Sequence, residues 1–165
     1  MKTVVFAGTF DPFTVGHLEI AEKAALLFNK VVIAVACKGK SGVSAEKRAE
    51  IVKLSVSGIK NVSVEIFDGF LTDFMKKNGY DVLVRGIRNA VDLDYEKNLK
   101  AVYEDMYPEI SIVYLVSSPE KEHVSSSIVR EILALNGDAD AYISDKAAAE
   151  IEKEYMRSVG NRTVM

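Results

Sequence analysis

Short apolar runs rich in β-branched residues alternate with helical patterns along the chain, and this alternation limits the possible folds more than any other feature of the sequence. Runs of strand character occupy residues 4–6, 31–36, 62–67, 82–84 and 110–116. A helical pattern follows each of them. Five such strand–helix pairs predict an α/β fold, built on a doubly wound five-stranded parallel sheet with helices on both faces.

The helices are predicted from apolar residues three and four positions apart and from capping residues. The apolar residues that mark the first, fourth and fifth helices are Leu18, Ala21, Ala25 and Phe28; Tyr95, Leu99, Val102 and Met106; and Ile128, Ile132 and Leu135. Ser44 is the expected N-cap of the second helix, and Asn78 with Gly79 is expected to close the third, over residues 70–77. A last helix is expected over residues 145–157.

The chain shows no internal repeat, low-complexity tract or flexible linker. We therefore expect one domain over residues 1–165, with a C-terminal helical segment over about residues 138–160 and a polar tail after the last helix. In parallel sheets of this kind the ligand lies beyond the carboxyl ends of the strands, where the strand order reverses. The residues that follow the strands are therefore the candidates for function.

Composition excludes several classes of protein. The chain has 165 residues, of which 48% are apolar and 27% charged, an ordinary mix for a soluble globular protein, and its net charge of −3 argues against a general nucleic-acid surface. A single cysteine, Cys37, excludes an intrachain disulfide and a cysteine-rich zinc site. The apolar run at the start is too short for a signal peptide, and no stretch approaches the roughly 20 apolar residues of a membrane span. We expect a cytoplasmic protein.

The loop after the first strand, GTFDPFTVGH over residues 8–17, combines several groups that suit an anion. Gly8 lets the backbone approach a ligand, and Thr9 offers a hydroxyl and, with Phe10, backbone donors. His17 falls at the start of the first helix, where free N–H groups and the helix dipole favour an anion, and its imidazole can donate to a phosphate oxygen. An isolated histidine would be an ordinary surface residue, but the complete string between a strand and a helix favours a phosphate site.

Cationic and hydroxyl side chains follow the fourth and fifth strands. Arg85 and Arg88, three positions apart around a glycine, can present two guanidinium forks to neighbouring phosphates. The serines at 125–127 precede a helix. Ser125 is a typical N-cap, yet three hydroxyls in front of a helix N-terminus also form a suitable cradle for a polyphosphate.

These motifs resemble those of a known family. GTFDPFTVGH resembles the signature of the nucleotidylyltransferase superfamily, whose motif ends in a Gly-His pair. Most branches have histidine three positions before the final one; this chain has Thr14 there, and TxGH is similar to the phosphopantetheine adenylyltransferase branch. RGIRNAVDLDYE at 85–96 resembles the family's RGLR segment and its following acidic residue, VSSSIVRE at 124–131 resembles ISSSxVRE, and residues 69–74 resemble a GLLxD/N segment.

The loop after the second strand departs from the family pattern. Family members usually show an Asn-Pro pair and lysines followed by Pro-x-Phe, with one lysine reaching the reacting phosphates. Residues 37–44, CKGKSGVS, are shorter and contain no Asn, Pro or Phe. We take Lys40 as the functional lysine and Lys38 as the alternative. Gly39 and Gly42 suggest a mobile loop that closes over bound substrates.

The resemblance implies a division of site residues between ATP, the acceptor substrate and catalysis. The implied ATP-binding residues are Thr9, Phe10, His17, Gly86, Ile87, Arg88, Glu96, Lys121, Glu122, His123, Val124, Ser125, Ser126 and Ser127. The implied acceptor-binding residues are Thr9, Lys40, Leu71, Thr72 and Arg85, and the candidate catalytic residues are His17, Lys40 and Arg88. Taken alone, His123 suggests no role. Neither histidine has metal-ligand spacing, so no protein-built metal site is indicated.

The resemblance also implies an activity: transfer of the adenylyl group of ATP to 4′-phosphopantetheine, giving dephospho-coenzyme A and pyrophosphate. The acceptor phosphate is itself the nucleophile, so an in-line displacement requires positioning and charge neutralisation rather than a side-chain base. Mg²⁺ is expected with the phosphates, and a homohexamer is implied. ATP and the acceptor are the expected partners, without nucleic acid or membrane.

Two alternatives remain open. One is a related enzyme with another phosphate acceptor, such as nicotinamide mononucleotide or glycerol 3-phosphate. The other is a catalytically silent nucleotide-binding module that kept the fold.

Overall fold

Five parallel strands form one sheet in the computed structural model, which describes residues 2–160, with side chains described as far as residue 156. The strands are β1 Thr3–Gly8, β2 Lys30–Ala36, β3 Val62–Phe67, β4 Val82–Ile87 and β5 Ser111–Val116. Their order across the sheet is β3-β2-β1-β4-β5. The chain builds outward from β1 in one direction, then returns to build outward in the other, so the strand order reverses between β1 and β4. The predicted doubly wound parallel sheet is confirmed.

Six α-helices cover the two faces of the sheet in the described residues. They are α1 Val15–Leu27, α2 Ala45–Ser55, α3 Leu71–Asn78, α4 Ala90–Met106, α5 Ser126–Ala134 and α6 Ala148–Gly160. The predicted ends of α2 and α3 are confirmed: the Ser44 hydroxyl accepts a hydrogen bond from the Lys47 N–H, and Gly79 closes α3 with a left-handed φ of 67°. No helix in this part of the chain is long and apolar enough to cross a membrane.

The core consists of one apolar layer on each face of the sheet, because successive strand side chains point to opposite faces. In β1, Val4 and Phe6 belong to the first layer, which α1, α2, α5 and α6 cover, and Val5 and Ala7 belong to the second, which α3 and α4 cover. Each fully buried valine or isoleucine contributes about 1.5–3 kcal/mol. The strands that carry the site are thus packed on both faces of the sheet.

The apolar residues predicted for two helices are buried only in part. For α5, Ile132 packs against the first layer, but Ile128 and the C-cap Leu135 are exposed, and Val129 and Leu133 are the fully buried residues. Two adjacent apolar stripes run along this helix, and helical spacing alone does not say which one faces the sheet. On α4, Tyr95 and Val102 are exposed, at 62% and 50%, whereas Leu99 and Met106 are half-buried.

Several predicted boundaries also shift; β1, for example, runs from Thr3 to Gly8 rather than over residues 4–6. β4 continues to Ile87, so Arg85 lies inside the strand rather than after it. The last helix begins at Ala148 instead of residue 145, because residues 145–147 form a turn. The end of the predicted polar tail, residues 161–165, lies outside the described residues.

Candidate active site

A cleft of about 610 Å³ opens at the carboxyl edge of the sheet, where β1 and β4 lie side by side. Eleven of the residues predicted for the site line it: Thr9, Phe10, His17, Lys40, Arg85, Gly86, Arg88, Glu96, Ser125, Ser126 and Ser127. They come from β4, from the loops after β1, β2 and β4, from α1 and α4, and from the start of α5. The structure therefore brings most of the predicted side chains together at the predicted place.

Seven predicted residues do not line the cleft: Leu71, Thr72, Ile87, Lys121, Glu122, His123 and Val124. The side chain of Ile87 is buried, and Thr72 is 1% exposed, with its hydroxyl 4.0 Å from the Met106 Sδ. Leu71 packs against the second core layer. These side chains serve packing in this structure.

In the segment before α5, the backbone carbonyl of Val124 contacts a side chain that lines the cleft. Lys121 ends a short 3-10 turn, and Glu122 follows it. The ring of His123 packs edge-on against Tyr142, with 5.9 Å between ring centroids. Val124 is buried, and its carbonyl oxygen accepts a hydrogen bond from Arg88 at 3.3 Å.

His17 is the third residue of α1 and is held there by a capping box with the N-cap Thr14. The backbone N–H of Thr14 donates to Nδ1 of His17 at 3.0 Å. A backbone N–H can only donate, so Nδ1 is the unprotonated nitrogen and Nε2 carries the proton. Burial, and then the nearby charges of Arg88 and Arg85, lower the pKa of His17 from 6.5 to about 4. The imidazole is therefore a neutral hydrogen-bond donor at physiological pH.

Arg85 is oriented by two partners, Glu96 and Ala7, which also line the cleft. Its Nε and Nη2 donate to the two carboxylate oxygens of Glu96 at 2.8 and 2.5 Å, and its Nη1 donates to the Ala7 carbonyl at 3.1 Å. Burial works against the charge, but the hydrogen bonds to Glu96 outweigh it and raise the pKa of Arg85. Glu96 is 6% exposed, and both of its carboxylate oxygens accept hydrogen bonds from Arg85. Its predicted contact with the nucleotide stays a prediction.

Arg88 links the end of β4 to the segment before α5. Its Nε and Nη2 donate at 2.9 and 3.1 Å to the carboxylate of Asp92, which lies four positions later in the first turn of α4. Hydrogen bonding to Asp92 raises the pKa of Arg88. Two permanent cations thus flank the strand-order reversal, one inside β4 and one just after it.

The three serines lie where α5 begins. Ser125 is the N-cap and accepts a hydrogen bond from the Ile128 N–H at 3.2 Å, which confirms the capping role. The Ser126 hydroxyl donates to the Pro12 carbonyl at 2.8 Å and so ties α5 to the first loop. Free N–H groups at this helix start add to the donors that surround the cleft.

The loop after β2 brings Lys40, and not Lys38, into the cleft lining. The structure gives its two glycines roles other than mobility. A Cβ on Gly39 would lie 3.0 Å from both the Arg48 Cζ and the Asp11 Oδ2, so any other residue there would require these buried side chains to shift by a few tenths of an ångström. Gly42 has a φ of +90°, which side chains rarely adopt. These two roles give no argument for a mobile loop, and its closure over bound substrates stays a prediction.

Further residues that the predicted site did not include also line the cleft, among them Asp92, Tyr95, Leu99, Tyr103 and Arg130. Arg130 donates to the Asp11 carbonyl and, at 3.2 Å, to the Ser127 hydroxyl. Its position three residues after Ser127 on a helix would have indicated this neighbourhood. Within the described residues no group of three or more histidine, cysteine, aspartate or glutamate side chains could hold a metal ion.

The chain is similar to known proteins over most of its length. Residues 5–132 match the model of the cytidylyltransferase-like family. The phosphopantetheine adenylyltransferase of Tolumonas auensis is 38% identical over 158 residues, which cover 94% of this chain and 96% of the relative. That of Rubrobacter xylanophilus is 36% identical over 162 residues, 97% of this chain and 99% of the relative.

The fold has a counterpart among solved structures. A bifunctional NMN adenylyltransferase/ADP ribose pyrophosphatase from Francisella tularensis superimposes with a TM-score of 0.76 at 17% identity, over 98% of this chain and 53% of that one. At this identity the likeness shows the fold alone. The family match and the near full-length relatives show more: the chain belongs to the cytidylyltransferase-like family and, within it, to the phosphopantetheine adenylyltransferases.

Proposed function

We propose that the protein transfers the adenylyl group of ATP to 4′-phosphopantetheine and releases pyrophosphate, with dephospho-coenzyme A as the second product. One observation carries the proposal: a neutral imidazole donor, a lysine, two arginines and a serine-rich helix start converge on one cleft. This set suits two phosphate-bearing substrates. The name shared by the near full-length relatives supports 4′-phosphopantetheine as the acceptor.

The transfer is a single in-line displacement. An oxygen of the acceptor phosphate forms a bond to the α-phosphorus of ATP, and the bond from that phosphorus to the oxygen of pyrophosphate breaks. The nucleophile already carries its charge, so no side chain needs to accept a proton and no covalent enzyme intermediate forms. The enzyme contributes position and electrostatic stabilisation.

The polar side chains of the cleft have distinct roles in this reaction. His17 donates its Nε2 proton in a hydrogen bond to an α-phosphate oxygen, where negative charge grows in the transition state. Arg85, oriented by Glu96, holds the acceptor phosphate, and Lys40 neutralises the reacting phosphates. Arg88 and the hydroxyls that begin α5 bind the departing pyrophosphate.

Mg²⁺ is proposed as the cofactor, carried by the polyphosphate. The described residues offer no cage of carboxylates, and the two carboxylates that line the cleft, Asp92 and Glu96, are engaged by Arg88 and Arg85. The residues therefore fit an ion held by phosphate oxygens and water rather than by the protein. When bound, the ion neutralises phosphate charge.

The test is an assay of pyrophosphate release with ATP and each of three acceptors: 4′-phosphopantetheine, nicotinamide mononucleotide and glycerol 3-phosphate. Pantetheine, which lacks the phosphate, is the matched negative substrate. We expect product with 4′-phosphopantetheine alone, identified as dephospho-coenzyme A by mass spectrometry. Product with only one of the other acceptors would contradict the substrate assignment, and ATP binding without transfer to any acceptor would indicate a silent module.

We propose a homohexamer as the working assembly. The resemblance to the family implies it, and exposed apolar side chains on α4 support an interface: Val91 is 78% exposed and Val102 is 50% exposed. Light scattering should give six times the chain mass of 18.2 kDa. A monomer mass at micromolar concentration would contradict the proposal.

We also propose that the protein acts in the cytoplasm, where ATP is plentiful and where its single cysteine fits a reducing compartment. Fractionation of producing cells tests this. Recovery in the membrane or secreted fraction would contradict it.

A further inference from the structure

The carboxylate of Asp11 is buried in the loop between β1 and α1, where it is 1% exposed and does not line the cleft. Its Oδ2 accepts hydrogen bonds from the backbone N–H groups of Lys40, at 2.5 Å, and Ser41, at 2.8 Å. Its Oδ1 accepts a further one from the Ser41 hydroxyl at 2.5 Å. The backbone of Lys40 is therefore held from behind by a residue that does not face the cleft.

Helix α6 supplies another donor to the same carboxylate. The Tyr155 hydroxyl donates to Asp11 Oδ1 at 2.6 Å, and the Tyr155 ring is 2% exposed in the first core layer. Burial, together with the hydrogen bond to Asp11, raises the pKa of Tyr155, so its hydroxyl keeps the proton it donates. Burial also opposes the charge of Asp11, but hydrogen bonds from Ser41 and Tyr155 outweigh it and lower the pKa of Asp11.

Arg48 anchors the same loop from a second side. It is completely buried, and it donates to the carbonyl oxygens of Thr9, of Cys37 at 2.8 Å and of Val43 at 3.1 Å. The loop that carries Lys40 is thus fastened to the first-strand loop through both a buried carboxylate and a buried guanidinium. Its backbone position depends on residues distant in sequence.

Such an anchor matters for a lysine in particular. Its ammonium group stands on a flexible four-carbon stem, whose freedom is lost when the group is fixed on a phosphate. A fixed backbone limits the positions from which that stem starts. Small displacements of a catalytic group are costly: about 1 Å can lower a rate by 10²-fold.

We propose that Tyr155 is a positioning residue for adenylyl transfer: through Asp11 it holds the backbone of Lys40, so that the ammonium group reaches the reacting phosphates. The inference rests on the proposed function, because it requires Lys40 to act on those phosphates. It gives α6, none of whose described residues lines the cleft, a part in catalysis.

The test removes one hydroxyl group, that of Tyr155. Tyr155→Phe removes the donor to Asp11 and keeps the ring in the core. Tyr142→Phe is the matched control, since Tyr142 is partly buried against the same core layer but is no partner of Asp11 in the structure. Both variants are made in the wild-type chain and in Lys40→Ala, and kcat, both KM values and the thermal midpoint are measured.

We expect Tyr155→Phe to lower kcat by about 10- to 10²-fold while both KM values change by less than about threefold. In the Lys40→Ala chain the same substitution should lower kcat by less than about twofold, because the ammonium group is gone and nothing remains to be positioned. Tyr142→Phe should leave kcat unchanged. An equal loss of kcat from Tyr155→Phe in both chains would show that Tyr155 has a structural role only and would overturn the inference. A wild-type kcat in Tyr155→Phe would also overturn it.

A second measurement is independent of substrate. Backbone amide exchange at Lys40 and Ser41 should become about tenfold faster or more in Tyr155→Phe and should stay unchanged in Tyr142→Phe. Unchanged exchange in Tyr155→Phe overturns the link, whatever the acceptor. No transfer by the wild-type chain to any acceptor, with faster exchange in Tyr155→Phe, counts against the proposed function and supports the link from Tyr155 to Lys40.

Discussion

The two nitrogens of the His17 imidazole have different tasks. Nδ1 accepts the Thr14 N–H and so completes the cap of α1, which leaves the Nε2 proton for the cleft. The depressed pKa has a functional meaning, because a neutral ring donates a hydrogen bond without bringing a charge that would have to be desolvated.

The imidazole of His17 should titrate near pH 4, well below the ordinary value of 6.5, because burial and the charges of Arg88 and Arg85 disfavour its protonation. The chain has two histidines. His123→Gln therefore leaves a single set of imidazole signals, and NMR titration of that variant measures the midpoint directly. A midpoint at pH 6 or above, or signals of the Nδ1–H tautomer, would contradict the assignment.

His17→Ala should lower turnover by about 10²–10³-fold, the usual cost of losing one donor to charge that grows in the transition state. The dissociation constant of ATP should change by less than about threefold, because that charge is absent from the ground state. Thr14→Val is the control for the lost helix cap, since it removes the hydroxyl that accepts from the His17 N–H and keeps the imidazole. If Thr14→Val matched the loss in His17→Ala, the cap rather than the donor would explain it.

At the scale of elements, α1 and the segment after β5 are joined by a buried carboxylate. Glu19, 6% exposed on α1, accepts hydrogen bonds from the Ser118 N–H and hydroxyl, and Lys23 lies 2.9 Å from the same carboxylate. Lys23 also donates to the Val116 carbonyl at 2.7 Å. These contacts hold α1 against the segment that leads from β5 to α5, and the first turn of α5 lines the cleft.

Glu19 should make the protein less stable in acid. Burial opposes its charge, but hydrogen bonds from Ser118 and Lys23 outweigh it and lower the pKa of Glu19 from 4.5 to about 2. A lowered folded-state pKa stabilises the fold above pH 4.5, and the contribution is lost as the pH falls towards 2. The full shift corresponds to about 3 kcal/mol.

Urea unfolding at fixed protein concentration measures this contribution. The difference in free energy of unfolding between wild type and Glu19→Gln should shrink by about 2 kcal/mol between pH 6 and pH 3. Glu22→Gln, an exposed carboxylate on the same helix, is the matched control. A wild-type-to-Glu19→Gln difference that does not depend on pH would show that the carboxylate carries no special stabilisation.

At the scale of the whole molecule, the sheet and the cleft could be predicted because local sequence encodes them. Strands buried on both faces need continuous apolar runs, and the loops that follow them carry the phosphate-binding types of residue. Partners distant in sequence could not be predicted. Arg48 lies on a predicted helix like any solvent-facing arginine, yet it is completely buried. Nothing in the local pattern joins Asp11 to Tyr155, or selects Val129 over Ile128 for the core.

The contact between Asp11 and Tyr155 spans 144 positions of the chain, and this separation has a consequence during protein synthesis. At about 5–20 residues per second, the ribosome adds Tyr155 roughly 7 to 30 seconds after Asp11. By then every residue that lines the cleft has been made. A nascent chain, or a product of an early stop codon before α6, would carry all the motifs and still lack the anchor of its lysine loop. Intact motifs in a shortened gene product would therefore be poor evidence of full activity.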